Sequence, residues 1–179
     1  MKTKDMIYVA LFAGIVAALG IMPPIPLPFG VPITLQSFGV MLAGAILGAR
    51  LGAYSLLIFV LLVAVGSPVL SGGRGGIGFL FGPTGGYILS WPLAAFIIGF
   101  LIERFWNSLS VTKVFIINIV GGILVVYAIG LSYFIFITDV DFTTALLGNM
   151  LFIPGDLLKA YLAAWIAIKI KKSYPLIHR

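Results

Sequence analysis

Cysteine is absent from the 179 residues, and histidine occurs once, at His178. Without thiols the chain has neither a disulfide framework nor a thiolate metal site. With its single imidazole far from any interior segment, it also lacks the Ser-His and His-metal arrangements that need a ring beside the nucleophile or ion. Charge is equally scarce. Only 9% of residues are Asp, Glu, Lys or Arg, against about 25% in soluble domains. No G-x-x-x-x-G-K-[ST] segment exists to cradle ATP phosphates. Ile153-Pro154-Gly155-Asp156 lacks the first glycine of a G-x-G-D pattern, and no second membrane aspartate accompanies it, so intramembrane aspartyl proteolysis has no basis. These absences predict a protein that is not an enzyme and needs no cofactor or metal.

What remains is hydrocarbon. The chain is 61% hydrophobic with a mean hydropathy of +1.21, which predicts an all-α integral membrane protein. Spans and short connections use up nearly all of residues 1–179, so they read as a single domain. A net charge of +6 could suit nucleic acid, but the bases sit singly at span ends without aromatic interleaving, and membrane topology accounts for them.

Six spans of roughly 20 residues fit the hydrophobic runs. The first, Met6 to Met22, follows Lys2, Lys4 and Asp5; it is too long for a signal peptide and lacks a small-x-small cleavage site. Ala10, Gly14 and Ala18 recur along it at steps of four, with Ala13 and Ala17 beside them, a stripe that lets another helix approach closely. A loop with five of the ten prolines, Met22 to Pro32, comes next. Its fixed φ angles and missing N–H groups suit a stiff lid or an interfacial anchor. Ile33 to Gly66 divides into two short spans at Arg50, with Thr34 and Gln36 at the start; Thr34 is expected to cap that helix. The Gly-rich stretch from Ser67 to Gly86 contains Gly73-Arg74-Gly75-Gly76-Ile77-Gly78, formally G-x-G-x-x-G. No strand precedes it, so it is not a dinucleotide fingerprint. Its glycines do permit positive φ and let main-chain groups line a cavity. Spans four and five run from Tyr87 to Ile102 and from Val114 to Ile137. Asp139 and Asp141 mark a turn, and span six ends at Lys169, Lys171 and Lys172.

Lys2, Lys4, Arg50, Arg104, Lys113, Lys169, Lys171, Lys172 and Arg179 fall on one side and Arg74 on the other. The excess of bases predicts that both termini are cytoplasmic. The proline loop, the glycine loop and the start of span six would then meet at one external site.

Span six carries Pro154-Gly155-Asp156-Leu157-Leu158-Lys159. Proline is tolerated in a first helical turn, an aspartate there meets the positive end of the dipole, and a lysine three residues on shares its face. Charges at membrane depth are costly enough to mark function. Two readings stay open: an internal pair that neutralises itself, or a receptor in which Asp156 accepts from ligand N–H groups and Lys159 meets a carboxylate or carbonyl oxygen. A pore is disfavoured because the spans carry no files of polar residues. A self-contained secondary transporter usually has paired broken helices, and only span six shows a break.

Val31-Pro32-Ile33-Thr34-Leu35-Gln36, Gly82-Pro83-Thr84-Gly85-Gly86-Tyr87 and the Pro154–Lys159 segment resemble the motifs of the BioY family, the biotin-specific substrate-binding (S) components of energy-coupling factor transporters. The likeness runs in order along nearly the whole chain. It implies six helices, an outward pocket roofed by the loops after spans one and three, and bound biotin. It implies a membrane-embedded coupling (T) component and two cytoplasmic ATP-binding cassette ATPases as partners, which fits the missing P-loop. It further implies that Asp156 and Lys159 contact biotin, with Arg74, Thr84 and Tyr87 as further candidates, and that the Ala13/Ala17 stripe, with Ala10, Gly14 and Ala18, meets the T component. Biotin suits such a site, with a ureido group, an apolar thioether ring and a carboxylate tail. The alternatives are an S component for another small vitamin or a self-contained secondary transporter.

Overall fold

In the computed structural model, residues 2–25, 31–173 and 177 are described. The central part of the proline loop, His178 and Arg179 lie outside them. Helices dominate the described residues, and pairing is limited to the isolated bridges Ile25–Ile33 and Leu70–Arg74. The helices are α1 (Thr3–Leu19), α2 (Gln36–Leu47), α3 (Ala49–Ala64), the short α4 (Ile77–Phe81), α5 (Gly85–Arg104), α6 (Val111–Asn118), α7 (Val126–Thr138), α8 (Phe142–Met150) and α9 (Ile153–Ser173). A π-helical segment, Ile119–Val125, joins α6 to α7 without interrupting the rod.

The helix ends follow local chemistry. At Gly48 the backbone takes φ 83°, which lets α2 stop and α3 start without a linker. The Glu103 carboxylate accepts the Ala49 N–H at 2.8 Å, satisfying a donor at the positive end of α3 from a neighbouring helix. Asp139 ends α7 in the left-handed region, and Asp141 caps α8 by accepting the Thr144 N–H at 2.8 Å. Hydrogen bonds from the Thr144 side chain and then from its backbone N–H hold the Asp141 carboxyl below its ordinary range. The expected cap at Thr34 is not made. Leu35, whose side chain has no hydrogen-bond acceptor, occupies the cap position of α2.

α5 is the hub, packing against α2, α3 and α7. Close approach depends on small residues: a Cβ at Gly99 would lie 2.2 Å from the Ala49 nitrogen. Met41, Leu56, Phe59, Val63, Ala94 and Ile98 are fully enclosed at the centre, and the Phe59 and Trp91 rings meet at 5.6 Å. Leu57, Leu61, Phe96, Phe100, Leu124 and Phe136 face outward. Large apolar side chains exposed on this many helices are what a lipid-facing surface requires. Lys169 lies over the Trp165 ring at 3.8 Å and Lys171 over Trp106 at 4.5 Å, amphipathic contacts suited to a headgroup boundary.

By length and composition α5 (20 residues) and the continuous rod 111–138 (28 residues) can cross a bilayer. α8 and α9, bent by 48°, form a third candidate as a broken span. α2 and α3, with 12 and 16 residues, are apolar but shorter. The break expected at the start of span six is therefore present, at Leu151–Phe152. A second irregularity, the π segment, carries no proline.

Candidate functional site

One end of the bundle is closed by the chain between α3 and α5. After Gly66 (φ 92°) the backbone turns back on itself, and the tight turn Leu70–Arg74 needs positive φ at Gly72 (79°) and Gly73 (69°). This loop is tied to its neighbours through Gln36, which is buried. Its Nε2 donates to the Val16 carbonyl at 3.1 Å and the Val69 carbonyl at 2.9 Å, and its Oε1 accepts the Ser71 N–H at 3.0 Å. The Ser71 hydroxyl donates to the Met22 carbonyl at 2.9 Å, and the Gly72 N–H to Gly20 at 3.2 Å.

Beneath the loop lies a cavity of about 390 Å³, within the size range of small-molecule sites. Val31 and Pro32 form one side, Leu70, Arg74, Phe79 and Thr84 another, and Tyr87, Ile88 and Trp91 of α5 the floor. The walls are mainly apolar. Arg74 stands exposed at the rim, and no hydrogen bond or ion pair engages its side chain among the described residues. Tyr87 is held from two directions. A Cβ at Gly130 would lie 2.3 Å from its ring, so the ring occupies the space that this glycine of α7 leaves, and its hydroxyl donates to Asn149 Oδ1 at 3.1 Å. The structure thus brings Arg74, Thr84 and Tyr87 to one cavity.

Asp156 and Lys159 sit elsewhere. Pro154 lies in the first turn of α9, and the two charged heads meet at 2.8 Å, only 5% and 8% exposed. Asp156 also accepts from the Tyr127 hydroxyl at 2.7 Å and from Ser37 at 3.3 Å. Lys159 donates to Ser37 at 3.1 Å and to the Thr34 carbonyl at 2.7 Å. Neither charge is on the cavity wall. Thr34 is, so the pair stands one residue behind it. The start of span six was expected to converge on the site with the two loops. Through the Lys159 hydrogen bond to the Thr34 carbonyl, the pair is joined directly to a residue of the cavity wall. Three participants escaped the sequence reading: Ser37, Tyr127 and Asn149 lie in helices that carry other polar residues, and nothing in their spacing sets them apart.

The small-residue stripe of α1 divides. Ala10, Gly14 and Ala18 are exposed and Ala17 is half-buried, whereas Ala13 is 2% exposed and packs inward. Nothing lies within 4 Å of a Cβ built at Gly14. The outward-facing part of the stripe is the Ala10/Gly14/Ala18 row.

A helical membrane bundle with a half-open, mainly apolar cavity at the end of its core has the architecture of a small-molecule-binding membrane subunit. The model of the BioY family matches residues 1–176, and the chain belongs to that family. It is 47% identical to the biotin transporter BioY of Rhizobium etli, covering 99% of this chain and 98% of that one. It is 43% identical to the probable biotin transporter BioY of Bacillus subtilis, covering 98% and 95%. A crystal structure of the S component for biotin from an ECF-type ABC transporter superposes with a TM-score of 0.90 at 35% identity, over 96% of this chain and 95% of that one.

The buried pair gives a stability prediction. Asp156→Asn or Lys159→Gln alone strands a charge and should cost about 3–5 kcal/mol, read as a lowered thermal unfolding midpoint in detergent. The double variant should regain most of that loss. A double variant whose loss equals the sum of the singles would show that the two charges do not support each other.

Proposed function

We propose that this chain is the S component of an energy-coupling factor transporter and captures biotin in the cavity beneath the glycine loop for ATP-driven uptake. The observation that carries the reading is the match between that cavity and the ligand named for its relatives. The space is small and mainly apolar, with a cation at its rim and hydroxyl groups deeper. Biotin's fused rings suit the apolar walls, and its carboxylate suits Arg74. Thr84 and Tyr87 supply polar contacts. Asp156 and Lys159 serve the ligand through Thr34, whose carbonyl Lys159 holds. Purified protein should bind biotin. Arg74→Gln should weaken it about tenfold or more while barely affecting biotin methyl ester, since the lost interaction is a charge-assisted hydrogen bond. Equal losses for acid and ester would remove the carboxylate role.

The whole chain, in this reading, is one domain of six transmembrane helices in the prokaryotic plasma membrane. Both termini are cytoplasmic and the cavity opens outward. The distribution of bases and the aromatic-lysine contacts near the end of α9 support that orientation. In this cysteine-free sequence, Gly73→Cys should react with an impermeant reagent in intact cells and Ser108→Cys only after lysis. The reverse pattern would invert the topology.

The partners are a T component and two cytoplasmic ATPases, and the exposed Ala10/Gly14/Ala18 row is the proposed contact with the T component, because only small residues let helices close up. Gly14→Leu, which meets no neighbour within the chain, should leave biotin binding by the isolated protein intact and reduce uptake by the assembled transporter. Unchanged uptake would place the contact elsewhere.

A further inference from the structure

Asn149 is 3% exposed, and its side chain is half satisfied. Oδ1 accepts the Tyr87 hydroxyl, but Nδ2 has no partner. A buried donor left unpaired is costly enough that native structures rarely keep one without a reason. Here the amide lines a side chamber of about 20 Å³, together with Val31, Tyr87, Phe134, Gly148 and Phe152. Val31 and Tyr87 also line the main cavity, so the two spaces are neighbours across those side chains.

The chamber is large enough for one oxygen-sized group and too small for a ring. Water fits poorly there. It would bring two further O–H donors that mainly apolar walls must satisfy, whereas buried waters usually make about three hydrogen bonds. An acceptor-only atom matches an unpaired donor better. Charge selects between the acceptors of biotin: the carboxylate has a cation in Arg74 at the rim, and the buried neutral amide is suited to a neutral carbonyl. Resting on the biotin reading above, we propose that Asn149 is a specificity-determining ligand contact whose Nδ2 donates to the ureido carbonyl oxygen. Tyr87 fixes the orientation of the amide, and Gly130 makes room for the Tyr87 ring.

The test is calorimetric binding of biotin, biotin methyl ester and 2-iminobiotin, which carries N–H where biotin carries the ureido oxygen. Wild type should prefer biotin to 2-iminobiotin. Asn149→Asp replaces the donor with an acceptor of the same shape, and should shift that preference toward 2-iminobiotin by about tenfold or more while leaving the acid-to-ester ratio unchanged. Asn149→Ser, smaller and uncharged, should lower affinity for acid and ester alike, and serves should the aspartate variant not fold. An unchanged biotin-to-iminobiotin ratio in both variants overturns the proposal, and so does a change confined to the acid-to-ester ratio. Failure of wild type to bind biotin at all would instead remove the underlying functional reading, and this proposal with it.

Discussion

The ion pair between Asp156 and Lys159 is the constraint around which the rest of the bundle is arranged. A charge at membrane depth is tolerated only when partnered, and here the partners come from two separate parts of the chain: Tyr127 beyond the π segment, and the start of α2, where Ser37 and the Thr34 carbonyl just before it both engage the pair. Each satisfies a lone pair or proton that the pair leaves over. The pair is therefore a clamp as well as a neutral unit, drawing the start of α9 against the start of α2 and the middle of the 111–138 rod. Its geometry also sets the position of Thr34, which belongs to the cavity wall.

Around that clamp the helices pack by absence of side chains. Lipid is as apolar as leucine, so burial against another helix gains little from the hydrophobic effect, and association relies on dispersion at close range. The glycines of α5 and α7 meet this requirement where it bears on the site. Gly99 brings α5 against the α2–α3 junction, and Gly130 admits the Tyr87 ring between α5 and α7. A cavity floor built from such contacts is stiff. The roof is a loop, but its four hydrogen bonds to Gln36, Gly20 and Met22 make it nearly as fixed.

The apolar helices, a turn between α2 and α3, the broken start of span six and the cavity-forming glycine loop were legible in the sequence, because apolar length, glycine and proline act locally. That turn, expected at Arg50, falls at Gly48 because only glycine takes its positive φ without strain. Directions were not. In a soluble helix the buried face is read from alternation of apolar and polar residues. α1 is apolar all round, so nothing in its sequence tells Ala13, which points inward, from Gly14, which points out. The same blindness hid the Asp156 partners. Tyr127 reaches the carboxylate from beyond a π segment that no proline or charge announces, although the paired glycines Gly121 and Gly122 lie within it. Thr34 was legible as a polar helix start but not as the carbonyl that accepts from a lysine, since main-chain partners leave no mark on residue identity.

Gln36 connects these levels. Its amide bonds at once to Val16 in α1 and to Val69 and Ser71 in the loop over the cavity, while Gly72 and Ser71 bond to the residues that end α1. α1 and the roof are thus one mechanical unit, and the two faces of α1 have different duties. Its inward face, with Val9, Phe12, Ala13 and Val16, is locked into the core. Its outward face carries the small-residue row and has nothing packed on it within the chain. Breaking the connection between that inward face and the roof would leave the buried Gln36 amide unpaired, which is costly enough to hold the two together.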